Sequence, residues 1–166
     1  VNRFLLPNRR EPQFRRNLQE LFRLQSTYWA VIRRSLRQPV DPGLFSELLS
    51  QFHMVYHEAV QYADRLPAEQ AAYHRVRLVV LWNMFSELEQ TEGLIQSGAV
   101  STEEIPALDV LASQLEVRIS PPRELESINS DALPRDELYY VISRYLDNAR
   151  TLHSGDATRA EISVEE

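Results

Sequence analysis

The chain contains no cysteine. That excludes disulfide scaffolds, thiol nucleophiles and cysteine-ligated zinc, and it agrees with a reducing compartment. Lysine is missing too, since all 18 basic residues are arginine. Codon bias in a GC-rich genome is the simplest account, with escape from lysine-directed modification as the functional alternative. Glycine is scarce: Gly43, Gly93, Gly98 and Gly155 each fall near an expected helix end, so no glycine-rich loop is available to cradle a phosphate. No apolar run approaches the roughly 20 residues that span a bilayer.

What is present is a run of apolar residues from Leu78 to Phe85, interrupted only by Asn83. Periodicity does not separate a buried strand from a buried helix here, so the flanks decide. AEQAAYHR before the run and SELEQ after it are rich in good helix formers, with no turn chemistry before Gly93. The expectation is a core helix over residues 68–92, apolar on every side and wrapped by the rest of the chain. Asn83 then becomes a buried amide. It is expected to fix packing register by bonding a neighbouring helix, or alternatively to line a polar cleft.

The remaining pattern predicts an all-α, single-domain bundle of about five helices. Residues 1–11 read as a basic, extended lead-in because Pro7 and Pro12 limit regular structure. The helical domain covers residues 12–153. Its first helix is expected from Pro12 to about Leu36, stopped by Pro39 and Pro42. Asp41 caps a second helix that reaches about Leu66, with a seam of Phe45, Leu48, Phe52, Val55, Ala59, Tyr62 and Leu66. A short connection at Pro67 makes this helix and the central one an antiparallel hairpin. The central helix either ends near Gly93 or continues through Leu94 and Ile95 to a stop at Gly98. Ser101 and Glu104 match a capping box for a fourth helix that Pro121 and Pro122 end. A polar connector leads to a last helix from Pro134 to just before Gly155. Residues 154–166 read as an acidic, disordered tail.

Charge is divided along the chain. Residues 1–40 hold nine arginines and two glutamates, net +7, whereas the remainder holds nine arginines and 22 acidic residues, net −13. The first helix is therefore basic and amphipathic. Such a helix packs on a core with its arginines in water, lies against anionic lipid, or carries arginines to nucleic-acid phosphates. The third is the weakest reading, because the acidic remainder repels the same polyanion.

Candidate chemistry is thin. His53 and His57 are four apart on one helix face, a spacing that can chelate a transition metal, with His74 across the hairpin as a third ligand. Two surface ligands bind weakly, so no metal or cofactor is assigned. Ser50, His57 and Asp64 form a nucleophile, base and orienter on paper, but any polar stripe of this size supplies such a set. The Glu-x-x-His pattern of di-iron bundles is absent from the sequence. Glu103 with Glu104, and Glu165 with Glu166, are explained by the helix dipole and by solvation. No catalytic residue is assigned.

The stretch RLVVLWNMFSELEQTEGLIQSGAVSTEEI, residues 77–105, resembles bacterial helical domains of unassigned function. In these an apolar-Asn-x-Phe-x-Glu helix is followed by a glycine-bearing loop and an acidic-capped helix. Asn83, Phe85, Glu87, Gly98 and Glu103 match, over about a fifth of the chain. The resemblance implies the cytoplasmic part of a membrane-tethered protein, with the anchor upstream of Val1. The expected function is a non-enzymatic interaction or scaffold domain that binds a protein partner or itself at the inner face of the cell membrane. Arg3, Arg9, Arg10, Arg15 and Arg16 would meet anionic headgroups. The alternative is a nucleic-acid-associated, viral or phage structural protein that uses the same arginines.

Overall fold

In the computed structural model, which describes the backbone of residues 2–118 and 128–165 and the side chains of residues 11–116 and 128–152, all regular structure is helical. The five helices are α1 (Asn2–Ser35), α2 (Pro42–Asp64), α3 (Ala68–Gln96), α4 (Ile105–Arg118) and α5 (Glu137–Glu165). They form one bundle.

The centre of that bundle is α1. Its apolar stripe of Phe14, Leu18, Leu21, Phe22, Leu24, Tyr28, Trp29, Val31 and Ile32 is buried and covers about half the helix circumference. Side chains from this stripe and its rim reach all four other helices. Tyr28 packs on Phe45 of α2 and, edge-on, on Phe85 of α3, with ring centres 5.1 and 5.8 Å apart. Trp29 meets Tyr145 of α5 at 5.2 Å, and Arg33 bonds Asp109 of α4.

The hairpin of α2 and α3 follows the expected pattern. Asp41 Oδ1 accepts the Gly43 N–H at 2.9 Å, which satisfies one of the free donors at the start of α2. Phe45, Leu48, Phe52, Ala59 and Ala63 then face inward. The central helix runs without interruption past Gly93. It ends at Gly98, whose φ of +82° suits a residue without Cβ, and the Ala99 N–H closes back on the Leu94 carbonyl at 3.1 Å.

Four expectations are corrected. The lead-in of residues 1–11 is not extended: α1 starts at Asn2, and Pro7 and Pro12 each forfeit one backbone bond without ending it. The segment from 154 onward is not an unstructured tail, since α5 continues through Gly155 to Glu165. One glycine costs a helix only about 1 kcal/mol, and Ala157, Arg159, Ala160 and Glu161 favour it. The capping box does not open α4, because a helix starting just after Ser101 would place the Pro106 ring against the carbonyl of residue 102. Starting at Ile105 puts Pro106 among the first four positions, where no N–H is needed. Finally, α3 is not wrapped on every side. Leu78, Leu81, Met84, Phe85 and Leu88 enter the core, but Val76 and Val79 remain 65% and 55% exposed. The stop expected at Pro121 and Pro122 lies outside the described residues.

Asn83 shares that open face and is exposed, so it is not the buried amide that the apolar run implied. Truncating it should therefore be nearly neutral, within about 0.5 kcal/mol, whereas Leu81→Ala on the opposite side should lose about 2–5 kcal/mol. Urea denaturation of the two variants checks this assignment of faces; comparable losses would refute it.

Candidate functional site

The buried polar groups serve the fold. Tyr145 Oη donates to Gln25 Oε1 at 2.6 Å in a fully enclosed site between α1 and α5. Burial holds the Tyr145 phenol well above its ordinary range, so it stays a donor. Asn148 Nδ2 donates to both oxygens of Glu87, at 2.8 and 3.1 Å, tying α5 to α3. Burial raises the Glu87 carboxyl above its ordinary value, and the bond from Asn148 only partly offsets this. These pairs tie helices together at positions far apart in sequence, and no spacing pattern singles them out.

A second polar cluster joins α1 to α4. Asp109 accepts from Arg33 Nε at 3.1 Å and from Arg37 Nη2 at 2.9 Å, while Glu116 lies 3.7 Å from Arg33. With Ala30 and Arg34 these side chains line a shallow groove of ≈ 270 Å³. Three guanidiniums face two carboxylates there, so the groove is largely self-neutralised and its chemistry is that of an inter-helix clamp.

The expected site residues scatter. Arg15 is exposed and pairs with Glu11 at 2.9 Å, and Arg16 is exposed. The side chains of Arg3, Arg9 and Arg10 lie outside the described residues. His53 and His57 are both exposed on α2, with His53 set edge-on to Trp82 at 5.1 Å. His74 instead packs on Phe14 of α1 at 4.4 Å, which takes it away from the other two. Among the described residues no three histidine or acidic side chains gather in a way that could hold a metal ion. Asp64 is engaged by Arg75 Nε at 2.9 Å and does not orient His57.

What remains is the outer face of the hairpin. Of the six large apolar side chains left exposed among the described residues, Met54, Val76, Val79 and Trp82 are on α2 and α3. Trp82 is seated against Tyr56 at 4.9 Å and Phe52 at 5.9 Å, which fixes its ring while leaving 37% of it open. The run from Leu78 to Phe85 has only Asn83 to turn outward, so α3 also puts valines into water. Sequence reasoning located the run but assumed that it was covered.

No protein-family model, no curated protein and no solved structure matches the chain. Among the described residues no helix is long and apolar enough to cross a membrane.

Two measurements test the polar assignments. Because the folded Glu87 carboxyl is raised above 4.5, its contribution to stability is full below that pH and is lost as pH rises through the folded value. Glu87→Gln should therefore flatten part of the fall in Tm between pH 4.5 and neutrality; an unchanged slope would mean that the group is well solvated. Asp109→Ala leaves two partly exposed arginines without their shared acceptor and should lose about 1–2 kcal/mol, read from denaturant midpoints.

Proposed function

We propose that this chain is a non-enzymatic helical interaction domain whose working surface is the outer face of the α2/α3 hairpin. The observation that carries the reading is the exposure of Val76, Val79 and Trp82 within and beside the longest apolar run of the sequence. Apolar side chains held in water on a rigid helix favour a partner that removes them from it, at about 25 cal/mol for each Å² covered. The paired polar groups of the interior support the reading from the other side, since Tyr145 with Gln25 and Glu87 with Asn148 are committed to joining helices.

The proposed setting is the inner face of a cell membrane, with an anchor upstream of Val1, as the resemblance of residues 77–105 implies. The exposed Arg15 and Arg16 on α1 would add attraction to anionic headgroups, about 1 kcal/mol each, which salt screens. The nucleic-acid alternative uses the same arginines and predicts steep salt dependence on duplex or single strands.

Site-directed photocrosslinking tests the main reading. A benzophenone side chain in place of Val79 should give discrete adducts of higher mass in the native host, whereas the same group at exposed Gln61 should not. Equal labelling at both positions, or none at either, would sink it. For the membrane setting, co-sedimentation with phosphatidylglycerol vesicles should fall with added salt and with Arg15→Glu/Arg16→Glu; salt-independent binding would reject the headgroup contact.

A further inference from the structure

The open side of α3 carries a regular seam. Ala72, Arg75, Val79, Trp82, Ser86, Glu89 and Gly93 recur at alternating steps of three and four, the spacing that aligns one face of a helix with a helical partner. None of the seven is buried in its own chain. About Trp82 their order is antisymmetric in charge. Trp82 and Val79 stand at the middle, Arg75 lies seven residues before Trp82 and Glu89 seven residues after it, and the small residues Ala72, Ser86 and Gly93 allow close approach.

The two charged ends differ in what they already hold. Arg75 uses Nε for Asp64, which leaves its terminal nitrogens toward solvent. Among the described residues Glu89 has no ion-pair partner. It stands near Glu92, a like charge on the same helix. A cation brought to Glu89 from outside would relieve that arrangement, and among the described residues no cation does so.

We propose that this seam is the contact of a two-fold symmetric dimer, in which α3 packs antiparallel on α3 of a second copy with the axis at Trp82. In that arrangement residue 75 of each copy meets residue 89 of the other, so both ends form an Arg–Glu pair. A parallel pair would instead set arginine beside arginine and glutamate beside glutamate. The paired positions lie about 21 Å apart along each helix, with the Val79 and Trp82 side chains enclosed between them. Such a contact is isologous and closes on itself, so it stops at two copies. The proposal rests on the interaction-domain reading above and names its partner.

Sedimentation equilibrium of the purified chain tests it. The wild type should show reversible monomer–dimer exchange. Arg75→Glu and Glu89→Arg each place like charges at both ends and should weaken dimerisation roughly tenfold or more. Mixed in equal amounts, the two variants should restore association, since every facing pair in the mixed dimer is again opposite in charge. Val79→Glu, on an open position with no packing role in its own fold, should give monomer whatever Arg75→Glu does to the hairpin. A wild type that stays monomeric, single variants that dimerise as the wild type does, or a mixture no tighter than its components would each overturn the two-fold dimer. A monomeric chain whose position 79 still crosslinks to a different protein in the host would overturn the second copy as partner and keep the interaction domain.

Discussion

The bundle depends on the burial of adjacent aromatic residues at the middle of α1. Tyr28 and Trp29 point about 100° apart on the helix, so together they serve two different sides: Tyr28 fills the space between α2 and α3, and Trp29 meets Tyr145 on α5. Both are fully enclosed. One helix that touches every other can organise five only if its apolar stripe is wide, and that of α1 covers about half of its circumference. Its described arginines lie on the rest, and Arg33, with Arg37 just past the helix end, clamps α4 through Asp109. The charge division of the sequence is thus partly resolved inside the fold, with a basic first helix meeting acidic partners on a later one.

This arrangement leaves α3 at the edge. It contributes one face to the core, another to α5 through Glu87 and Asn148, and a third to α2 through Trp82, and on the remaining face Val76 and Val79 stay exposed. Because the run from Leu78 to Phe85 is apolar on every side but for Asn83, the face left over carries apolar side chains among its polar ones. The exposed valines follow from a mismatch between that apolar run and a bundle too small to enclose it.

Much of the architecture was legible because its signals are local. Asp41 before Pro42 marked the start of α2, four of the seven seam positions from Phe45 to Leu66 are buried, and Gly98 was one of the two ends expected for α3. What failed was non-local or cumulative. Asn83 was read as buried because an apolar run tells which residues could be covered, whereas coverage is decided by neighbours remote in sequence. The Glu87–Asn148 bond joins residues that no spacing rule connects. Helix ends at Asn2 and Glu165 were misjudged because prolines and one glycine were weighed singly against stretches of good helix formers. The candidate surface was half legible: its residues stood out as the most apolar stretch, but its openness required the packing.

The two tryptophans sit in opposite circumstances, Trp29 sealed beside Tyr145 and Trp82 on the open seam beside His53 and Tyr56. The chain therefore carries two built-in fluorophores that report different events. An aqueous quencher such as iodide reaches Trp82 in the folded protein and reaches Trp29 only when the bundle opens. Emission from the quenchable fraction follows coverage of the hairpin face, and the protected fraction follows integrity of the core, so docking and unfolding can be read separately from an unlabelled sample.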